Sequence, residues 1–131
     1  MNDNQLIQQV RESIPGLIAL YRFGSQAKGT ARPGSDVDLA VLAHTPVPGM
    51  HLFQLAQHLA QQLHREVDLI DLRSASAVMR MQVLSAGDCL ASDEELSRRE
   101  FEMYAYSDYA RLNEERQEIV KGITKRGLVY G

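Results

Sequence analysis

Residues 21–42 read YRFGSQAKGTARPGSDVDLAVL, and the fold class follows from how this stretch divides. The apolar run Leu17, Ile18, Ala19, Leu20 leads into it as a buried strand, and Gly24 stops that strand. A polar loop containing Gly29, Pro33 and Gly34 then separates Ser25 from Asp36, and Val37 to Leu42, apolar with acids interleaved, predicts a second strand. Side chains at i and i+2 of a strand project from one face, so Asp36 and Asp38 stand side by side. Two such charges raise each other's pKa unless a cation compensates, and hard carboxylate oxygens suit Mg²⁺ or Mn²⁺. Gly24 lets the backbone turn tightly and approach a ligand. Ser25 can cap the following helix and, with the free N–H groups there, hold phosphate oxygens. A phosphate grip beside a metal pair points to nucleotide chemistry.

On either side of this stretch the chain alternates helix and strand. A short amphipathic helix is expected around Gln5 to Ser13, ended by Pro15 and Gly16. Thr45 to Gly49 is a turn. From Met50 to His64, the apolar residues Leu52, Leu55, Ala56, Leu59, Ala60 and Leu63 fall on one helical face. Val67 to Leu72 is a third strand by length and composition, followed by a short helix from Ala75 to Leu84 and a brief strand around Cys89 and Leu90. Ser92 with Glu95 reads as a capping box that opens a long helix running towards Val120. The fold class is therefore α/β or α+β, a small mixed β-sheet flanked by helices with a long C-terminal helix.

The total of 131 residues suits one domain, and 44% hydrophobic with 24% charged residues is the balance of an ordinary globular chain. Fourteen basic and 17 acidic side chains leave a net charge of -3, with no basic excess of the kind that drives sequence-independent nucleic-acid binding. Residues 92–118 carry nine acids against four bases, whereas the last thirteen residues carry Lys121, Lys125 and Arg126 and no acid. No direct nucleic-acid partner is expected. One cysteine, Cys89, excludes an internal disulfide, and the opening MNDNQLIQQV has neither a basic stretch nor a long apolar run, so a cytoplasmic protein without a membrane anchor is expected.

A third carboxylate is expected on a neighbouring strand, and EVDLIDL offers Asp68 and Asp71 at opposite parity. If Val67 and Leu69 pack into the core, Asp71 lies on their side and Asp68 faces the open one. Asp68 is therefore the candidate to take the proton from an attacking hydroxyl and help hold a metal, and Asp71 reads as a strand-end surface acid. His44, His51, His58 and His64 have no acid or Cys partner at metal-ligand spacing and read as surface residues.

Gly24-Ser25, ten residues, then Asp36-Val37-Asp38, with a further acid in VDLID, resembles the signature of the polymerase β-like nucleotidyltransferase superfamily. Within it, the chain is similar to the minimal nucleotidyltransferases paired with HEPN proteins in prokaryotic toxin-antitoxin systems. The resemblance spans residues 16 to about 91. It implies the polymerase β-like nucleotidyltransferase fold and transfer of AMP from ATP, with Mg²⁺, two ions or in their place Mn²⁺, held by Asp36, Asp38 and Asp68. It also implies that Gly24 and Ser25 contact the nucleotide phosphates. Where the common form carries an arginine close behind the Gly-Ser pair, Gln26 stands here and Lys28 follows, so Lys28 and Arg32 are the candidate phosphate cations. The acceptor implied is a tyrosine hydroxyl of a HEPN ribonuclease toxin, which modification neutralises. Two other readings stand beside this one: an antitoxin that neutralises the toxin only by covering it, and a small-molecule nucleotidyltransferase acting on an antibiotic.

Residues 1–91 thus read as a nucleotidyltransferase core, and 92–131 as a C-terminal helix and basic tail extending the same domain. At ~100° per residue, Phe101, Tyr104, Tyr106 and Tyr109, with their apolar neighbours, cover more than half of the helix circumference. Either this surface meets the toxin or the tyrosines snorkel at the domain edge.

Overall fold

The computed structural model describes residues 1–24 and 36–125, the last three of these in backbone alone. Along the chain run α1 (Asp3–Ser13), β1 (Leu17–Phe23), β2 (Val37–Ala43), α2 (Gly49–Leu63), β3 (Val67–Asp71), α3 (Ala77–Ala86), β4 (Asp88–Ser92) and α4 (Glu95–Lys125). The strands form one mixed sheet in the order β3-β2-β1-β4. β1 is antiparallel to both β2 and β4, while β2 and β3 run parallel. Parallel neighbours need a crossover, and α2 supplies it.

The two central strands are buried almost throughout, as their apolar runs require. Leu39 and Val41 of β2 pack with Leu17 and Leu20 against Leu6 and Val10 of α1 and Leu55 and Leu59 of α2. On the other face, Ala40 and Leu42 meet Tyr21, Phe23, Val83 of α3, and Phe101 and Ala105 of α4. The ladder between β1 and β2 shifts register between Leu17 and Ala19, which lets Ile18 and Ala19 both serve that second core.

Local signals set the element ends. α1 begins two residues before the apolar pattern suggests, because Asn2 and Gln5 form a reciprocal capping box. α3 starts behind Ser76, whose hydroxyl accepts the Met79 amide at 3.1 Å. α4 starts later than the Ser92 and Glu95 pattern implies, since the Asp93 and Glu94 amides both donate to the Ile18 carbonyl of β1. The Ser92 hydroxyl instead donates to the Glu95 carboxylate.

Two expectations are corrected. Asp71 is no surface acid: it is 5% exposed. Its carboxylate accepts from the Val47 amide at 3.0 Å, the Arg73 amide at 3.1 Å and the Ser74 hydroxyl at 2.9 Å. It therefore ties the loops after β2 and β3 together. Phe101, expected on a partner-facing surface, is 8% exposed, because the guanidiniums of Arg73 and Arg80 lie over its ring and close the domain there. Replacing Asp71 by Ala leaves two half-buried amides and a hydroxyl without their acceptor, so denaturant unfolding of Asp71→Ala should show a stability loss of about 1–3 kcal/mol.

Candidate active site

β2 and β3 begin at the same end of the sheet, and their parallel register sets Asp38 opposite Asp68. Alternation sends Leu39 and Leu69 into the core under α1 and α2, so Asp38 and Asp68 project from the face that carries α3 and α4. Beyond the rims of those helices Asp68 is exposed, Asp38 half-buried, and Asp36 exposed just ahead of β2. Asp38 stands across from Phe23, the last residue of β1, and Gly24 follows immediately.

Gly24 is needed in this place for two reasons. Its φ of +71° lies in the left-handed region that side chains resist. A Cβ there would also fall 3.1 Å from Cγ of Asp38 and closer still to its Oδ2. The glycine thus leaves space into which the Asp38 carboxylate turns. Partial burial pushes the Asp38 carboxyl above its ordinary range, and the negative charges of Asp68 and then of Asp36 push it the same way. The three acids therefore meet as one field of like charge.

Among the described residues no three acidic, histidine or cysteine side chains already converge on a single point at ligand distance. The donor set nonetheless suits a hard divalent cation: it is all carboxylate oxygen, crowded by like charge, and partly exposed for a ligand to enter. Ser25, Lys28 and Arg32, the remaining candidate phosphate contacts, lie outside the described residues. Of the four histidines, His44 pairs with Glu94 and His51 with the Ser13 carbonyl, each through Nε2 at 2.5 Å.

Behind the site, the Tyr21 hydroxyl donates to Glu102 at 2.8 Å, and Arg98 donates to the same carboxylate oxygen at 2.9 Å. Burial, then the Glu102 carboxylate, holds the Tyr21 phenol far above its usual pKa and therefore neutral. Sequence pattern gives little notice of this anchor, whose one signal is the i,i+4 spacing of Arg98 and Glu102.

A minimal mixed sheet with acids at the shared end of two parallel strands is the architecture of a nucleotide-transferring enzyme. The profile of the family described as polymerase beta, nucleotidyltransferase, matches residues 4–96, and the chain belongs to that family. Its relatives narrow the class. Protein adenylyltransferase MntA of Shewanella oneidensis is 40% identical over 126 residues, covering 94% of this chain and 88% of that protein. A crystal structure of a toxin-antitoxin with AMP-PNP contains a chain of 39% identity and TM-score 0.84, covering 95% of this chain and 99% of its own. A tri-AMPylated Shewanella oneidensis HEPN toxin in complex with MNT antitoxin contains one of 36% identity and TM-score 0.77, covering 93% and 95%.

Two outcomes follow from the charge and the close approach. The Asp38 carboxyl has a raised pKa in the folded state, so its contribution to stability is present at low pH and lost as pH rises through the carboxylate range. In EDTA at pH 7, Asp38→Asn should therefore melt above the wild type, by the equivalent of about 0.5 kcal/mol, the cost of like charges on adjacent strands. The gap should close as pH falls below about 4, the ordinary range of an aspartate. Gly24→Ala should cost about 1–2 kcal/mol through its left-handed backbone, measured by thermal melting.

Proposed function

We propose that this chain transfers AMP from ATP to a tyrosine hydroxyl of a cognate HEPN ribonuclease toxin, and so acts as its antitoxin. The observation that carries the reading is the register of Asp38 against Asp68, with Gly24 leaving the space the Asp38 carboxylate occupies. Asp36, Asp38 and Asp68 would hold Mg²⁺, which when bound supplies positive charge that draws electron density from the α-phosphate and steadies the departing pyrophosphate. Asp68, exposed and set on the strand beside Asp38, accepts the acceptor's proton as the acceptor oxygen bonds to the α-phosphorus and the bond to pyrophosphate breaks. Gly24 lets the backbone approach the outer phosphates, with Ser25, Lys28 and Arg32 assigned to the same task. Support for the protein acceptor comes from the relatives: one is a protein adenylyltransferase, and another is the antitoxin bound to an AMPylated HEPN toxin.

The toxin is assigned to α4. Past Ala105 this helix buries no further side chain among the described residues, and Met103, Tyr104, Tyr106 and Ile119 stand exposed, with Tyr109 half-buried. Phe101 is left out of this surface. A reducing cytoplasmic setting fits the single exposed thiol, Cys89, and no helix among the described residues is long and apolar enough to cross a membrane.

Incubation with labelled ATP, Mg²⁺ and the purified cognate toxin is the test. The wild-type chain should add AMP mass to the toxin and EDTA should stop it. The double variant Asp36→Ala with Asp38→Ala should lose at least about a hundredfold in rate while keeping its circular dichroism. A toxin left unmodified yet fully inhibited by the wild type would overturn catalysis in favour of occlusion.

A further inference from the structure

At the opposite end of the same sheet face, a cleft of about 400 Å³ opens beside Ile18 and His44, between the segment that follows β3 and the first turns of α4. At ~3.3 Å per strand residue, Ile18 lies roughly 17 Å along β1 from Phe23 and the acids, too far for one ligand phosphate to serve both places. Two guanidiniums converge in the cleft: Cζ of Arg73 stands 5.5 Å and Cζ of Arg80 5.0 Å from the centre of the Phe101 ring.

Among the described residues, backbone oxygens and no acid hold both of them. Arg73 Nε donates to the Ala43 carbonyl, while Arg80 donates through Nε to the Leu72 carbonyl and through Nη2 to that of Arg73, both at 2.8 Å. Among the described residues neither arginine has a carboxylate within ion-pair distance, whereas Arg11, Arg22, Arg98, Arg99 and Arg111 all do. The π-face of Phe101 offsets part of this paired positive charge but accepts none of the N–H groups that remain in the guanidinium planes. Glu94 is occupied by His44, which leaves Glu100 as the acid lining the cleft. Ser97 and the exposed Tyr104 add hydroxyls at its mouth.

We propose that this cleft is a second anion site that binds a phosphoryl group, separate from the carboxylate centre, with Tyr104 shared between it and the α4 surface assigned to the toxin. Fixed guanidinium planes on two segments, with the hydroxyls of Ser97 and Tyr104 lining the same cleft, offer more donors than a flat carboxylate can use, and they suit the several acceptor oxygens of a tetrahedral oxyanion. The phosphoryl group can be free phosphate or part of a nucleotide, whose base the Tyr104 ring is placed to stack upon.

The full chain, ¹⁵N-labelled and kept in EDTA, is titrated with inorganic phosphate and with AMP at constant ionic strength, following the Nε–H resonances of Arg73 and Arg80. Saturable shifts are expected with both and none with chloride. Arg73→Gln with Arg80→Gln should weaken binding at least about tenfold, since charge-assisted hydrogen bonds are lost. Because Arg80 also satisfies two carbonyls, Ser97→Asp is the second variant: it faces the arginines with a carboxylate and should weaken phosphate binding equally, while Glu100→Gln should tighten it. AMP binding tighter than phosphate, with the difference abolished by Tyr104→Ala, would identify a nucleotide, and equal affinities the phosphoryl group alone. Shifts that chloride reproduces, or phosphate affinity unchanged in Ser97→Asp, would overturn the proposal.

Discussion

Like charges must be forced together, and the parallel pairing of β2 with β3 is what forces Asp38 against Asp68. Carboxylates on adjacent strands repel by a few tenths of a kcal/mol or more, so the pairing survives only because its other residues are strongly favoured where they are. Leu39 and Val41 are fully buried and Leu69 nearly so, in a core shared with α1 and α2. Slipping β3 by one residue would separate the acids, but it would also turn Leu69 out to solvent and drive Asp68 into that core. Apolar burial on one face of the sheet thus holds charge on the other in an arrangement the charges themselves disfavour. Such a stored repulsion is a physical reason for the site to want a cation.

The same reasoning accounts for Asp71. Three residues past Asp68 and at the parity of Leu69, it points to the core side, where an unpaired carboxylate would be costly. Three donors from the neighbouring loops meet it there, and the ends of β2 and β3 are joined as a result. Of two aspartates three residues apart, one is exposed beside Asp38 and the other is buried and holds the loops.

What could be read from the chain and what could not divides along the range of the interactions. Although Asp36, read as a strand residue, stands just ahead of β2, the strand position of Asp38, the helical face of α2 and the outward parity of Asp68 are periodic properties of short segments, and they were legible without coordinates. The burial of Asp71 was not, because its donors come from Val47, Arg73 and Ser74 and the three are brought together only by tertiary packing. Phe101 misled for a related reason: helical periodicity reports a broad apolar surface on α4 but not which part of it Arg73 and Arg80 will cover. The proposed phosphate contacts Ser25, Lys28 and Arg32 rest on the spacing of the motif and on resemblance alone, whereas Gly24 has a geometric reason in its contact with Asp38.

The hydrogen bond from Tyr21 to Glu102 has a consequence for the far end of the molecule. A helix lying on a sheet through a few small apolar contacts can roll about its own axis at little cost. α4 cannot, because a buried phenol from the central strand grips one carboxylate and Arg98 holds that carboxylate from within the helix. Its azimuth is set at that turn, and a continuous helix transmits the setting along its length. The described side chains past that turn are thereby indexed to β1, so a partner held on this half of the helix, as proposed above, would be presented to the acids in one orientation.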